Sequence, residues 1–376
     1  MHRPADVTTF HNFGFFQRAE GLRTYLPGEI VFAEGDPGDF MYAVIEGEVA
    51  VTLDKRLVNY LGPGTLFGEM ALMDKRPRSA TVTAATPCRL LPLDTARFQA
   101  LIQEEPAFAL QVMSIMTERL RRFMEDEVKR LRLQEELNIS HQIQMSLLPK
   151  KNPQRPGWEF AATYRSAQQV GGDLYDYIPS IHDPDSLHLG IADVTGKGIP
   201  AALFMAFSRT ILRAEARATN SPAEALRQAN RAIVQDIDSR LFLSAFLGTL
   251  NTQTGHLRFS NGGHDRPMWY RAASGVVESL TTAGLLLGVR QDVTLPEAEI
   301  ELAVNDVLVL YTDGVTEARD MRGGMFGEER LAAAIKATAH CSAQEMVTRL
   351  AAAIAHITGD TPQNDDLTLM VVKRTS

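Results

Sequence analysis

The chain has 376 residues, 22% of them charged, and a formal net charge of −8. That length is a soft prior for two domains or one large one, and a mildly acidic balance gives no broad electrostatic attraction for nucleic acid or anionic lipid. A hydrophobic content of 45% argues against a disordered or fibrous class.

The two cysteines, Cys88 and Cys341, are far apart and lack CxxC spacing, which argues against a disulfide framework or a zinc site. Met1 to Phe16 lacks the basic start and continuous apolar core of a secretory leader. No stretch of about 18 uninterrupted apolar residues occurs, so the expectation is a cytoplasmic chain with no membrane span. The basic stretch Lys129 to Arg132 sits among glutamates and reads as a solvated helix face rather than a nucleic-acid patch.

From Leu22 to Leu93 short strand-like segments (Ile30 to Phe32, Met41 to Ile45, Glu48 to Leu53) alternate with Pro27-Gly28, Gly35-Asp36-Pro37-Gly38, Gly47 and Gly62-Pro63-Gly64. Short β segments at even spacing predict a small barrel or jelly roll. After Pro106 the texture changes. Phe108 to Leu148 contains no glycine or proline, and Met113, Met116, Leu120, Met124, Val128 and Leu131 recur three or four positions apart. This predicts one long amphipathic helix, or two with a break, roughly 60 Å in length. A helix of that length cannot bury its stripe alone, and pairing with a second copy as a parallel coiled coil is the expectation.

Pro149 ends the helix, and Lys150 to Gly157 reads as a linker. Beyond it, apolar runs (Leu187 to Ile191, Ala245 to Leu250, Val307 to Tyr311, Leu367 to Val372) alternate with helical segments (Ala201 to Ala218, Pro222 to Asp236, Glu328 to Thr338, Ala343 to Ile357). These predict one α+β or α/β domain. The expected division is 1–125 for the β domain, 126–150 for the helical linker and 151–376 for the mixed domain.

Two constellations carry chemistry. In the first domain, Phe67-Gly68-Glu69-Met70-Ala71-Leu72 continues through Arg76-Pro77-Arg78-Ser79-Ala80-Thr81-Val82. A glycine before a short helix leaves backbone N–H groups free for an anion. Arg78 can add a two-pronged contact to a phosphate and Ser79 a hydroxyl, and Glu69 can accept from a sugar hydroxyl. This order and spacing resemble the phosphate-binding cassette of cyclic-nucleotide-binding domains, over Leu22 to Arg122. The resemblance implies that Glu69 holds the ribose 2′-hydroxyl. It further implies that Arg78 pairs with the cyclic phosphate of cAMP or cGMP, assisted by Ser79 and the backbone of Gly68 and Met70. The base is read from the following helix, where adenine and guanine stay open.

In the second domain four acidic clusters flank glycines or strand-like runs: Gly171-Gly172-Asp173-Leu174-Tyr175-Asp176, Ala192-Asp193-Val194-Thr195-Gly196-Lys197-Gly198, Thr312-Asp313-Gly314 and Asp365-Asp366-Leu367-Thr368. Oxygen ligands without cysteine or a nearby histidine indicate hard cations, Mg²⁺ or Mn²⁺, two of which can drive in-line water attack on a phosphoryl group. With Gln144 to Pro149 and Asn261-Gly262-Gly263-His264, the ordered motifs resemble the SpoIIE-like branch of the PPM metal-dependent Ser/Thr phosphatases, over Gln144 to Val372.

The second resemblance implies an α/β sandwich behind the N-terminal jelly roll and its helical linker. It also implies that Asp193 bridges two or more ions, with the Val194 carbonyl on one. Asp313 and Asp365 hold the other ion, Asp173 supports the cluster, and Asp366 is interchangeable with Asp365. The turn departs from the family pattern at Asp265-Arg266-Pro267, where asparagine and a proline pair are usual, and His264 braces it. Arg165 or Arg266 is the candidate anchor for the substrate phosphate. The implied substrate is a phosphoprotein of the anti-sigma-antagonist kind, and the implied control is nucleotide binding relayed through the helix. A nucleotide-responsive transcription factor would need a helix-turn-helix after the first domain, where aspartate-marked α/β sequence stands instead. A non-catalytic receptor would lack one of the acids, and none is missing.

Overall fold

The computed structural model describes residues 21–236, 241–359 and 361–376; the reading of Met1 to Phe16 lies outside them. Two compact units divide the chain, Met1–Leu131 and Arg132–Ser376.

In the first unit β1 (Arg23–Tyr25), β8 (Cys88–Leu93), β3 (Met41–Glu46) and β6 (Leu66–Phe67) form one antiparallel sheet in that order. The second sheet runs β2 (Ile30–Phe32), β7 (Thr81–Ala84), β4 (Val49–Leu53) and β5 (Arg56–Leu61). The β4–β5 turn places Asp54 at φ 47° and Lys55 at φ 64°, the double left-handed geometry of a type I′ hairpin. A short helix α1 (Glu69–Asp74) follows β6, and α2 (Thr95–Glu104) follows β8. Asp94 caps α2, its carboxylate accepting from Arg97 N at 2.7 Å. Tyr42, Val44, Val49, Phe67, Val82 and Leu90 form the core between the sheets. Met41, Ala43, Leu91 and Leu93 pack instead against Leu101 and Phe108.

The predicted long helix is a single element, α3 (Pro106–Leu147), with Pro106 at its start where a missing N–H costs nothing. It is roughly 63 Å long at 1.5 Å per residue, and the break allowed for in the sequence does not occur. Leu120, Met124, Val128 and Leu131 stand exposed along it.

The second unit holds two five-stranded antiparallel sheets. The first runs β10 (Leu174–Pro179), β11 (Ser186–Val194), β12 (Leu243–Asn251), β13 (His256–Gly262) and β16 (Ala298–Glu301). In the other the order is β15 (Val276–Ser279), β14 (Met268–Arg271), β17 (Val307–Tyr311), β18 (Leu367–Arg374) and β9 (Trp158–Arg165). Helices α4 (Ile199–Ala218) and α5 (Pro222–Asp236) cover the first sheet, while α7 (Gly327–Thr338) and α8 (Ala343–Thr358) cover the second. A single turn, α6 (Asp313–Thr316), follows β17. Leu189, Ile191, Phe246, Leu247, Leu310 and Met370 belong to one continuous core, which binds the sheets face to face as an α–β–β–α sandwich. Both cysteines are buried and free. Among the described residues no helix is long and apolar enough to cross a membrane.

Candidate functional site

The sandwich gathers the acids at its strand ends. Asp173 immediately precedes β10, Asp193 is the penultimate residue of β11, Asp313 lies two residues past β17, and Asp365 and Asp366 immediately precede β18. Leu174 pairs with Ala192 and Tyr311 with Leu369, so antiparallel pairing places a strand start beside a strand end in each sheet. Asp173 then joins the sheets. Its Oδ2 accepts hydrogen bonds from Thr312 Oγ1 at 2.7 Å and Thr368 Oγ1 at 2.5 Å.

The adjacent acids Asp365 and Asp366 face different groups. Asp366 is buried, with Oδ1 accepting from Ala167 N at 2.8 Å and Oδ2 from Gly172 N at 2.5 Å. Asp365 is half-exposed, and its Oδ2 lies 2.8 Å from Lys197 Nζ, which also donates to the Asn364 carbonyl. Glycine at 171 and 314 is imposed by close packing. A Cβ at Gly171 would overlap the Asp366 carboxylate, and one at Gly314 the Asp366 carbonyl oxygen. Gly198, at φ 74° and ψ −153°, opens α4 in a conformation essentially reserved for glycine.

Two residues hold this frame. Gln144, buried near the end of α3, donates from Nε2 to Gly171 O at 2.6 Å and accepts from Gly171 N at 3.1 Å. His264 braces the turn after β13. Burial pushes its imidazole down to about 4, so it is neutral at pH 7. Its Nε2 then donates to Tyr311 O at 3.1 Å, while Nδ1 accepts from Ser244 Oγ at 2.7 Å.

Burial, and after it the crowding of acids, sets the electrostatics. Burial raises Asp193 to about 7, with repulsion from Asp313 next in size, and the carboxyl is in hydrogen-bonding reach of Asp173. Asp173 is pushed well above the carboxylate range by burial and then by Asp193, and Asp313 is raised by burial and then by Asp365. Asp265 is lifted to about 6 by burial and then by Asp313, so the residue that departs from the expected turn adds another acid. Carboxylates this close favour protons or cations between them.

The first unit contains a cavity of about 410 Å³, lined by Gly68, Glu69, Met70, Arg78 and Ser79 with Arg119 of α3. Arg78 is buried over the Phe32 ring, 4.0 Å from its centroid. It donates to Gly68 O at 2.9 Å and Phe40 O at 2.5 Å and makes no ion pair among the described residues. Its burial lowers the guanidinium pKa, so a bound anion would relieve the desolvation. Glu69 pairs with Arg119 Nη1 at 2.6 Å.

The family model for Stage II sporulation protein E (SpoIIE) matches residues 183–375, and that for the cyclic nucleotide-binding domain matches residues 22–105. The chain belongs to the SpoIIE family. It is 31% identical over 242 residues to the phosphoserine phosphatase RsbU of Bacillus subtilis (strain 168), covering 64% of this chain and 71% of that protein. The SiaA-PP2C domain of Pseudomonas aeruginosa superposes with a TM-score of 0.59 at 22% identity, over 65% of this chain and 98% of that one. That likeness concerns the fold. The N-terminal part is 47% identical over 92 residues to a cyclic nucleotide-gated potassium channel of Mesorhizobium japonicum, covering 24% of this chain and 25% of the channel. This SpoIIE-family member is thus a protein serine/threonine phosphatase fused to a cyclic nucleotide-binding domain.

The acids of the SpoIIE-type domain fit hard divalent cations. All donors are oxygens, and a cation would offset the repulsion that Asp193 exerts on Asp173, Asp313 on Asp193 and Asp365 on Asp313. A Cβ at Gly172 would lie 2.8 Å from the Val194 carbonyl oxygen, and glycine leaves that oxygen uncovered. Among the described residues no three acidic, histidine or cysteine side chains are grouped closely enough to hold an ion by themselves, and Mg²⁺ in general keeps several waters. Thr312, Thr368, Lys197 and Gln144 were not singled out from the sequence as functional. Each lies within a quoted motif, which was the available signal.

Proposed function

We propose that the chain removes the phosphoryl group from phosphoserine or phosphothreonine on a small phosphoprotein, of the anti-sigma-antagonist kind, and that cAMP or cGMP binding governs the rate. The observation that carries this reading is the meeting of Asp173, Asp193 and Asp313 across two sheets, each carboxyl raised by burial and by its neighbours. In this reading Asp193, Asp313, Asp365 and the Val194 carbonyl would hold Mg²⁺ or Mn²⁺ ions. Asp173 supports the cluster. Asp366 acts through the backbone it binds, because both of its oxygens accept amide N–H groups.

When bound, the ions supply charge neutralisation and an activated water for in-line attack. The chain supplies position. Thr312 and Thr368 fix Asp173, and His264 ties β13 to the end of β17. Arg165 and Lys197 line a cavity of about 380 Å³ that includes Asp365 and Gly314, and there they would receive the substrate phosphate. Arg266 is not among that cavity's lining residues, which favours Arg165 as the anchor.

Regulation rests on α3, which carries Arg119 beside Glu69 in its N-terminal half and Gln144 on Gly171 near its C-terminal end. A nucleotide changes activity only as far as it binds one helix arrangement better than another. The exposed stripe of Leu120, Met124, Val128 and Leu131 supports pairing of two chains through this helix. In this reading the reaction is cytoplasmic.

The test is hydrolysis of p-nitrophenyl phosphate with Mn²⁺, with and without cAMP or cGMP, beside Asp193→Ala. Metal-dependent turnover that Asp193→Ala abolishes and one nucleotide shifts is expected. Turnover that ignores both nucleotides would refute the regulation, and turnover that survives Asp193→Ala would refute the metal assignment.

A further inference from the structure

A second, basic cavity of about 430 Å³ lies in the phosphatase domain, between the segment after α3, strand β10 and helix α4. It shares no lining residue with the cavity beside Asp365. Lys151, Arg155, Arg209 and Arg213 line it, and Asp176 is the single carboxylate among them. In a chain whose net charge is −8, this is a local reversal of sign.

Asp176 is too small a counter-charge for its surroundings. It is 3% exposed and accepts Arg213 Nη1 on both oxygens, at 2.6 and 2.7 Å. Arg209 Nη2 lies 2.9 Å from Oδ2. Arg209 Nε is nevertheless enclosed without an acceptor, as are Arg155 Nε and the Tyr177 hydroxyl. Arg155, half-buried, makes no side-chain hydrogen bond or ion pair among the described residues. Burial holds the Arg209 guanidinium pKa down more than Asp176 raises it. Desolvated guanidinium groups that lack acceptors favour an oxyanion.

We propose that this cavity binds an oxyanion of the phosphate class. Four cations against one carboxylate leave an excess of three positive charges, which a phosphate monoester of roughly two negative charges compensates better than a single carboxylate does. Arg155 and Lys151, which make no ion pair among the described residues, line the cavity and can meet phosphoryl oxygens there. Two sources share this chemistry: inorganic phosphate, and the phosphoryl group of a phosphorylated side chain.

The experiment uses the full chain carrying Asp193→Ala, Arg165→Gln and Arg78→Gln, without added metal, so that the acid cluster, the cavity beside Asp365 and the nucleotide cavity do not take up phosphate. Inorganic phosphate and O-phosphoserine are titrated separately by calorimetry, and the titrations are repeated with Arg155→Gln or Lys151→Gln added. Saturable uptake at millimolar ligand is expected, weakened at least roughly tenfold by Arg155→Gln and less by Lys151→Gln. Equal affinities identify the free anion as the ligand class. Tighter binding of phosphoserine identifies a phosphorylated side chain. Lys151 is exposed, so its variant reports even if Arg155→Gln unfolds. Absence of saturation with both ligands, or uptake unchanged in both variants, would overturn the proposal.

Discussion

Replacing Gln144 by alanine tests whether the end of α3 positions the loop that carries Asp173. The substitution removes two buried hydrogen bonds at once and leaves the N–H and C=O of Gly171 without partners. Each buried backbone group left unsatisfied costs roughly 1–3 kcal/mol, and a water entering the vacated space would bring the pair toward the lower end, about 2 kcal/mol. For a unit of this size that lowers the midpoint of thermal unfolding by roughly 4–8 °C. Activity should suffer more than stability. Gly171 lies two residues before Asp173, and Gly172 N is held by Asp366, so a released Gly171 lets the Asp173 carboxyl drift. A misplacement on the order of 1 Å can cost about a hundredfold in rate. The assay is kcat and KM for p-nitrophenyl phosphate at saturating Mn²⁺, with Met145→Ala, one residue along the helix and 37% exposed, as the control. A kcat lowered at least roughly tenfold with KM little changed is expected. Gln144→Glu should recover part of it only at a pH that protonates the glutamate, because the neutral acid can accept from Gly171 N and donate to Gly171 O whereas the ionised one cannot donate. A kcat within twofold of the parent alongside a lowered melting midpoint would refute the positioning argument and leave Gln144 a structural brace.

Arg78→Lys keeps the charge but loses the fork that spans the Gly68 and Phe40 carbonyls; affinity for a fluorescent cAMP or cGMP analogue should fall at least roughly tenfold, and unchanged affinity for both would exclude Arg78 from the pocket. Gly314→Ala places a methyl group on the Asp366 carbonyl oxygen, so Mn²⁺-dependent turnover and the thermal midpoint should both drop, whereas a neutral outcome would contradict the packing. Since Asp193 is raised to about 7, metal binding must release its proton, and apparent Mn²⁺ affinity should fall by up to roughly tenfold per pH unit below 7; a flat calorimetric titration between pH 6 and 7.5 would refute this. His188 is buried with Nδ1 on Thr249 Oγ1 at 2.9 Å, and burial lowers it to about 4. The unfolded chain therefore takes up a proton near pH 6.5 that the folded chain refuses, and stability is lost as pH falls from 6.5 toward 4. The loss amounts to roughly 3 kcal/mol. Urea midpoints that fall less steeply with acid in His188→Gln would confirm it, and parallel slopes would refute it.

Which features the sequence made legible follows from the range of the forces involved. Strands β2 and β17 and helix α5 match the expected segments residue for residue, because apolar runs and proline boundaries are local signals. Strand β10 was missed because Asp176 interrupts its apolar run, and that acid is tolerated there only because Arg209 and Arg213 arrive from α4. The β4–β5 hairpin was missed because Asp54-Lys55 takes the double left-handed turn that glycine usually marks. Thr312 and Thr368 meet Asp173 across 139 and 195 positions of sequence, a relation that no local pattern encodes.

The pair Asp365 and Asp366 shows how the fold supplies what spacing leaves open. Side chains of neighbouring residues in extended chain point to opposite sides, so where two acids precede a buried strand, one turns inward and the other outward. The inward acid, Asp366, meets the amides of Ala167 and Gly172, which take one acceptor site on each oxygen and tie its carboxylate to the backbone. The outward acid, Asp365, keeps one exposed edge and an ammonium partner, Lys197, that a divalent ion could displace. Charge alone treats the two as equivalent. The two backbone N–H groups on one of them make the difference, so Asp366→Asn should impair folding more than metal affinity, and Asp365→Asn the reverse. Mn²⁺ titration and thermal melts of the two variants read that contrast directly, and a reversed order would exchange their roles.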